Sequence, residues 1–241
     1  RMLKVKKPSD VLLILVSFLP VQGVEGELKT KPTQYAVRTI NSAGLQPDII
    51  IARASIPLDK KRKEKIAFNC NLQEEDVISA PDVKSIYEVP VNFEKDNFGQ
   101  VILKKLKTKP RTRDLKEWKR LVHTITTAQA PVKIGIVGKY FGTGEFILAD
   151  SYISVIEAVK QAAYFFKRVP EIHWLNAEQF EKNPKNLAEL SKYQGIIVPG
   201  GFGGRGVEGK IVVIRYLREH GIPFLGLCYG MQLAVIEFAR H

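Results

Sequence analysis

The stretch Ile222-Pro-Phe-Leu-Gly-Leu-Cys-Tyr-Gly230 decides the fold of the second half of this chain of 241 residues. An apolar strand leads into a tight turn that carries Cys228, and residues 231–240 follow as a helix. Gly226 and Gly230 lie two positions before and after the cysteine, where a Cβ would collide with neighbouring backbone. The spacing therefore predicts a strand-to-helix elbow at the carboxyl edge of a parallel α/β sheet.

The thiol of Cys228 is the candidate nucleophile. The unpaired amides and the dipole of the helix that follows favour a thiolate and could hold an oxyanion. The alternative for a lone cysteine is an inert thiol buried in an apolar strand, and the flanking glycines favour the nucleophile. The second cysteine, Cys70, is expected to pack in a helix. Two cysteines without metal-ligand spacing indicate a reducing compartment and no disulfide framework.

Apolar strand-like runs alternate with helix-like segments along the whole chain, which is typical of α/β folds with parallel sheets. A polar stretch at 107–113 divides the pattern, so we predict domains over residues 1–106 and 132–241, joined by a linker over 107–131. Predicted strands cover residues 11–16, 48–52, 77–79, 132–137, 172–175 and 222–225, with another inside 193–201. Predicted helices cover residues 32–41, 60–69, 99–106, 115–124, 151–166, 210–218 and 231–240.

Composition indicates an anionic partner. The net charge is +12 and the pI is about 9.6, but no arginine-rich or aromatic-interleaved basic face points to nucleic acid, and nucleotide phosphates would suffice. The basic cluster at 60–65 is expected to be a solvated helix face. At the N-terminus, basic residues precede an apolar run as in a secretory signal peptide, but Asp10 interrupts that pattern. The apolar run 11–16 is too short to cross a membrane.

A glycine-rich run follows the strand that ends near residue 198. Gly201, Gly203 and Gly206 have the spacing of a dinucleotide fingerprint, but Glu219, the acid at about the right distance, should lie at the end of a helix. The other interpretation is a turn whose backbone amides face Cys228, with Gly201 as an oxyanion donor. A phosphate loop at residues 138–139 fails because the flanking residues do not match.

In the first half, Gly26-Glu-Leu-Lys-Thr-Lys-Pro-Thr-Gln34 follows a strand and precedes a helix. Two lysines, two threonines and helix-terminal amides come together there, which suits a triphosphate. The alternative is a charged loop with an ordinary helix cap.

Five motifs together resemble the CTP synthase family, in the same order and at matching spacings over nearly the whole chain. The block Lys-Thr-Lys-Pro-Thr-Gln at 29–34 is specific to that family. The cysteine elbow alone would indicate only a class I glutamine amidotransferase. The motifs lie at residues 26–34, 46–50, 198–203, 205–209 and 228–237.

The resemblance implies an enzyme that makes CTP from UTP. ATP phosphorylates the uracil 4-oxygen, and ammonia released from glutamine displaces that phosphate. Asp82 and Val83 would lie beside the ATP adenine. Magnesium ligands are expected outside this chain, with no metal site within it. The residues implied in binding UTP or CTP are Lys29, Thr30, Lys31, Pro32, Thr33, Gln34 and Lys65.

In the amidotransferase half, the resemblance implies that Cys228 attacks the glutamine side-chain amide and forms a thioester. Gly201 and the amide of Tyr229 would hold the oxyanion, and Gln232 would help to bind glutamine. The glutamine and oxyanion site would comprise Gly201, Tyr229, Gly230, Met231 and Gln232, and a lid linked to activation by GTP would comprise Arg205, Gly206 and Glu208.

Two departures from the family pattern matter. Position 229 is tyrosine where leucine is usual, so its ring could crowd the pocket. The chain also stops before the triad histidine and glutamate. The three histidines that precede Cys228 (His123, His173 and His220) fit no family position and are expected at the surface or in loops. The resemblance thus implies an inactive central piece with two incomplete domains, of the synthetase and class I glutamine amidotransferase types.

The parent enzyme would be a cytoplasmic homo-oligomer, a dimer or tetramer, without nucleic-acid or membrane partners. The alternatives are another class I glutamine amidotransferase, a dinucleotide-binding protein and a non-catalytic α/β module.

Overall fold

A computed structural model describes residues 1–23, 26–111, 114–138, 152–201 and 206–241. The chain divides into two compact units, Arg1–Val122 (unit 1) and His123–His241 (unit 2). Each unit contains a parallel sheet flanked by helices, which confirms the predicted α/β class. Among the helices in these ranges, none combines the length and apolar character that a membrane crossing needs.

Unit 1 is built on a three-stranded parallel sheet in the order β1-β4-β5. The central strand reads Ile-Ile-Ile-Ala-Arg-Ala and is almost wholly buried, as expected for a parallel strand covered on both faces. A short antiparallel hairpin, β2 and β3, follows β1. The elements are α1 (Met2–Lys6), β1 (Ile14–Phe18), β2 (Val21–Gln22), β3 (Glu27–Leu28), α2 (Lys31–Ser42), β4 (Ile49–Ala54), α3 (Lys60–Asn69), β5 (Val77–Pro81), α4 (Val89–Lys95) and α5 (Phe98–Lys105), with 3-10 turns at Glu74–Asp76 and Ile86–Glu88.

Unit 2 has a four-stranded parallel sheet in the order β7-β6-β8-β9. Its core lies between the sheet and helices α8 to α10 and includes Phe180, Leu190, Leu217 and Leu233, all fully buried. Helix α6 (Lys116–Thr127) spans the division between the units. The other elements are β6 (Ala130–Gly138), α7 (Ile153–Phe165), β7 (Arg168–Asn176), α8 (Ala177–Lys182), a 3-10 segment (Pro184–Lys192), β8 (Gly195–Val198), α9 (Val207–Glu219), β9 (Phe224–Gly226) and α10 (Tyr229–Arg240).

Most predicted elements are present, and α3 has the predicted bounds. The first strand is wrong by two to three residues, since it spans Ile14–Phe18 instead of 11–16. The Asp48 carboxylate accepts the Leu13 N–H at 2.6 Å, so Ile14 is the first residue that pairs with β4 in the ladder. The predicted boundaries at 106 and 132 stay a prediction.

The basic face at 60–65 is not uniformly solvated. Asp59 caps α3 by accepting the Arg62 N–H, and Lys63 turns inward to pair with Asp96 at 2.6 Å. The second Asp96 oxygen accepts the Ser79 N–H, so this carboxylate joins α3 to β5. Cys70 is buried but lies just after α3, as its C-cap residue. Burial raises the pKa of the Cys70 thiol.

Candidate active sites at two sheet edges

Cys228 lies in a sharp turn between β9 and α10. Its backbone has φ 51° and ψ −109°, a region that residues with a side chain rarely adopt, and its side chain is exposed. Such outliers persist only where the surroundings hold them in place. The Cys228 carbonyl accepts the Met231 and Gln232 N–H groups at 3.1 and 3.2 Å, so the turn closes into the helix.

The two flanking glycines are required by contacts with the backbone. A Cβ on Gly230 would lie 1.9 Å from the Val198 carbonyl oxygen. A Cβ on Gly226 would lie 2.7 Å from the Met231 nitrogen. Real Cβ atoms do not approach this closely, so neither position admits another residue without a backbone shift. The geometry agrees with the steric reason for these glycines, and the catalytic role of Cys228 stays a prediction.

The end of β8 faces the elbow. Leu227 donates its N–H to the Val198 carbonyl at 3.0 Å, and a Cβ built on Gly200 would lie 3.3 Å from the Cys228 Cβ and 3.6 Å from its Sγ. Gly201, the predicted oxyanion donor, follows directly in an extended conformation. The turn and the thiol are therefore neighbours, as the elbow interpretation requires.

The other predicted glutamine-site residues lie in the first turn of α10. The Tyr229 N–H is the first of that helix, where no intrahelical acceptor exists. Its ring packs half-buried against the core of unit 2. Met231 and Gln232 are exposed, whereas Gly230 is buried beneath the elbow.

The predicted lid is only partly described. Arg205 and Gly203 lie outside the described residues. Gly206 is the N-cap of α9 with φ 70°, and Glu208 in the first turn pairs with Arg240 at 3.0 Å. Glu208 therefore joins α9 to the end of α10, the helix that follows Cys228.

A second link between these helices was not predicted. Glu237 on α10 is buried, and its two carboxylate oxygens accept hydrogen bonds from Arg218 on α9 at 2.7 and 2.9 Å. The hydrogen bond from Arg218 lowers the pKa of Glu237 despite the desolvation that opposes it. An acid among apolar neighbours on a helix that packs against the core is the signal that could have revealed the pair.

The three histidines that precede Cys228, His123, His173 and His220, are exposed as predicted. His173 lies in β7 and not in a loop. Glu219 is the last residue of α9 and pairs with Arg215 at 2.8 Å, so it does not lie at a strand end as a ribose ligand would.

In unit 1, the segment 29–34 lies where β1 and the hairpin lead into α2. Lys29 donates its N–H to the Pro20 carbonyl at 3.0 Å. Thr33 is fully buried, and its hydroxyl lies 2.9 Å from that of Ser17 on β1. Thr30 is almost buried and accepts from the Gln34 amide at 3.2 Å. The Thr33 contact holds α2 to β1, and the Thr30 bond stabilises the start of the helix. Lys31 and Pro32 are exposed.

The basic groups predicted at this edge are brought together around one carboxylate. Lys29 forms an ion pair with Glu27, and the hydrogen bond from Lys29 is the main cause of the lowered pKa of Glu27. The positive charges of Arg62 and Lys65 on α3 also lower the pKa of Glu27. Arg62 donates a hydrogen bond to the Leu28 carbonyl. Lys65 therefore contributes positive charge near the carboxylate that pairs with Lys29, although the two lysines are 36 positions apart in the sequence, and its role in nucleotide binding stays a prediction.

The segment predicted to contact ATP lies at the same edge. Asp82 follows β5, donates its N–H to the Ala54 carbonyl at 2.9 Å and pairs with Arg53 at 2.7 Å. Val83 is half-buried. Arg53 was not predicted, although a charge in the apolar run of β4 could have revealed it. Carboxyl ends of parallel strands are where ligands bind in α/β folds.

The described carboxylates at this edge do not form a magnesium site, since Glu27 and Asp82 already pair with cations. Within the described ranges, no group of three or more His, Cys, Asp or Glu side chains could hold a metal ion.

Comparison with known proteins finds a matching family for each half of the chain. Residues 1–108 match the family model described as CTP synthase N-terminus, and residues 147–241 match glutamine amidotransferase class-I. The CTP synthase of Methanococcus maripaludis is 46% identical over 239 residues, covering 96% of this chain and 44% of the relative. That of Caldanaerobacter subterraneus is 47% identical over 233 residues, covering 96% and 42%.

A solved structure, the glutaminase domain of Trypanosoma brucei CTPS with bound acivicin, is 35% identical. The match covers 46% of this chain and 41% of the chain in the solved structure, with a TM-score of 0.41. The chain spans less than half the length of the relatives it matches. Because two family models match its two halves in order and relatives are 46–47% identical across 96% of it, the chain belongs to the CTP synthase family.

Proposed function

We propose that this chain carries parts of two sites for the synthesis of CTP from UTP, ATP and glutamine. The nucleotide site is the carboxyl edge of the unit 1 sheet, and the glutamine site is the elbow of unit 2. The domain boundaries are those predicted, 1–106 and 132–241 with a linker between them. The observation that carries the proposal is the exposed Cys228 at φ 51°, held by two glycines that admit no Cβ.

In the glutamine site, the Cys228 sulfur attacks the side-chain amide carbon of glutamine. A sulfur–carbon bond forms, and the carbonyl oxygen becomes an oxyanion beside the N–H groups of Gly201 and Tyr229. The carbon–nitrogen bond then breaks, the leaving nitrogen takes up the proton that the thiol lost, and ammonia departs from a thioester. Gln232, exposed in the first turn of α10, is placed to contact the glutamine.

In the nucleotide site, the lysines supply charge for the phosphates of UTP or CTP. Lys29 and Lys65 lie around Glu27, and Lys31 is exposed at the start of α2, where helix amides also favour anions. Asp82 and Val83 would flank the adenine of ATP, the phosphate donor to the uracil 4-oxygen. Ammonia from unit 2 displaces that phosphate.

Regulation and assembly follow the same family expectation. GTP would act as an activator through the segment that contains Gly206 and Glu208, which is tied to α10 by the pair with Arg240. The parent enzyme would be a cytoplasmic dimer or tetramer.

Covalent labelling of the 241-residue chain tests the glutamine site. The chloromethyl ketone analogue of glutamine places an electrophilic carbon near Cys228: a sulfur–carbon bond forms, chloride leaves, and the thiol proton passes to solvent. We expect mass spectrometry to find the label on Cys228 and glutamine to slow its addition. Cys70 is the internal control, because burial and a raised pKa keep it unreactive.

Equal labelling of both cysteines, or labelling that glutamine does not slow, would contradict the glutamine site. Calorimetry with UTP separates CTP synthesis from another amidotransferase reaction, since only the former needs a uridine nucleotide site in unit 1.

A further inference from the structure

Lys210 is a buried cation beside the elbow to which the proposed mechanism assigns no role. It lies in the first turns of α9 with only 1% of its surface exposed. Its ammonium donates a hydrogen bond to the Pro199 carbonyl at 3.3 Å. Burying an ammonium group is costly unless acceptors surround it, and the Pro199 carbonyl is one of the acceptors that hold Lys210 under this turn.

The helix that carries Lys210 packs closely against α8. The preceding residue, Gly209, lies so close to α8 that a Cβ there would be 2.0 Å from the Ala177 carbonyl oxygen. This contact fixes the height of α9 relative to the sheet. The ammonium of Lys210 is consequently held at a set position beneath the end of β8.

The turn, by contrast, has little rigidity of its own. Gly200 and Gly201 lack a Cβ, so many backbone conformations are open to them. The peptide between Pro199 and Gly200 is planar and trans, so its carbonyl and its N–H point in opposite directions. A donor that holds the Pro199 carbonyl therefore sets the orientation of the peptide from which the two glycines continue.

We propose that Lys210 is a positioning residue that holds turn 199–201 against Cys228, so that the turn presents its backbone N–H groups to the oxyanion. The inference deepens the proposed function and rests on it. Gly200 already lies in van der Waals range of the thiol, since a Cβ there would be 3.6 Å from Sγ. A small rotation of the turn would therefore misplace the donors by a distance that matters for catalysis.

The test compares two labelling reagents on the 241-residue chain with Lys210→Met. The chloromethyl ketone analogue of glutamine reacts through addition at its carbonyl, which uses the oxyanion donors, whereas iodoacetamide alkylates the thiol without them. We expect the maximal rate with the glutamine analogue to fall about tenfold or more. The half-saturating concentration and the iodoacetamide rate should stay within about twofold of the unchanged chain.

Lys192→Met, at an exposed lysine of the same unit, is the matched control and should change neither rate. Lys210→Arg keeps a donor and a charge and should restore part of the lost rate. If Lys210→Met does not fold, Lys210→Gln takes its place, because glutamine retains an N–H donor. The ratio of the two labelling rates is measured in the same way. It should fall by less than about fivefold relative to the unchanged chain.

Two results would overturn the proposal: an unchanged ratio of the two rates, which includes an equal fall in both, or no recovery with Lys210→Arg. These outcomes are distinct from failure of the proposed function, in which the unchanged chain itself shows no glutamine-protected labelling. In that case the inference about Lys210 falls with the function on which it rests.

Discussion

The elbow of unit 2 and the basic edge of unit 1 both lie at the carboxyl ends of parallel strands, but they are held together differently. At the elbow, backbone meets backbone: the Gly230 position lies against the Val198 carbonyl, and Leu227 donates to the same oxygen. At the edge of unit 1, flexible charged side chains meet, and Lys29 is paired with Glu27. One site depends on steric fit and the other on charge balance.

This difference separates two kinds of response to mutation. Close-packed backbone has no room to adjust, so a single methyl group at the elbow should have a large effect. Exposed ion pairs contribute little each and are weakened by salt, so substitutions at the edge of unit 1 should have graded, salt-dependent effects. The predictions below test this contrast.

The largest effect is expected for Gly230→Ala. Its Cβ would lie 1.9 Å from a backbone oxygen that no rotamer change can move. We expect a loss of about 3 kcal/mol or more in the unfolding free energy of unit 2, together with loss of Cys228 labelling by the glutamine analogue. Urea denaturation followed by tryptophan fluorescence in a Trp118→Phe background measures this unfolding free energy, since the remaining tryptophan, Trp174, lies in unit 2.

Gly99→Ala is the matched control, because a Cβ at that helical position meets nothing within 4 Å. Because Gly99 lies in unit 1, this variant should leave the unfolding free energy of unit 2 unchanged in the same Trp118→Phe background. If Gly230→Ala were as mild as this control, the elbow would be looser than its contacts indicate.

The same contrast explains what could be predicted from the sequence. The elbow was predictable because its steric requirement restricts residue type, so Gly226 and Gly230 appear as a pattern around Cys228. The alternation of apolar runs likewise predicted the parallel sheets, since buried strands must be apolar on both faces. At the start of β1, the Asp48 carboxylate binds the Leu13 N–H in place of a ladder partner, and the apolar pattern alone contains no sign of that contact.

Side-chain partners were mostly beyond prediction. Nothing local distinguishes Lys63, which turns inward to Asp96, from its exposed neighbour Lys61. The pairing of Arg218 with Glu237 joins residues 19 positions apart on different helices, and it depends on how those helices cross. Such contacts follow from tertiary packing and not from spacing.

Glu237→Gln tests whether the helix that follows Cys228 is also held by charge. At neutral pH we expect unit 2 to lose about 1.5–3 kcal/mol, because a buried carboxylate gives up two charge-assisted hydrogen bonds. Arg218 lowers the pKa of Glu237 below its ordinary value of 4.5. The charged Glu237 carboxylate therefore stabilises unit 2 fully above that value. This stabilisation is lost as the pH falls through the lowered pKa of Glu237 in the folded state.

The unfolding free energies of Glu237→Gln and the unchanged chain should consequently converge in acid when measured by urea denaturation across pH. Glu219→Gln, which removes an exposed partner of Arg215, serves as the control and should have no measurable effect at neutral pH. If the difference in unfolding free energy between Glu237→Gln and the unchanged chain stayed constant down to the lowest pH, Glu237 would stabilise unit 2 through packing and not through its charge.

In unit 1, the double variant Lys29→Ala, Lys31→Ala should weaken UTP binding about tenfold at low salt, because two cations near the phosphates are removed. The loss should shrink as salt rises. Calorimetry measures both. The control, Lys60→Ala with Lys61→Ala, removes the same charge from an exposed helix face of the same unit. Equal affinities for the two double variants would refute a local role for Lys29 and Lys31.

The smallest effect is expected for Glu27→Gln. The Glu27 carboxylate engages Lys29 and repels an incoming phosphate, and its lowered pKa keeps it charged at neutral pH. Its neutralisation should therefore strengthen UTP binding about twofold at low salt, with no gain at high salt. In a Lys29→Ala background the gain should be smaller, because only the repulsion remains to be relieved. Weaker binding by Glu27→Gln would instead mean that the carboxylate orients Lys29 for the phosphate, and charge balance at this edge would then resemble the steric fit of the elbow.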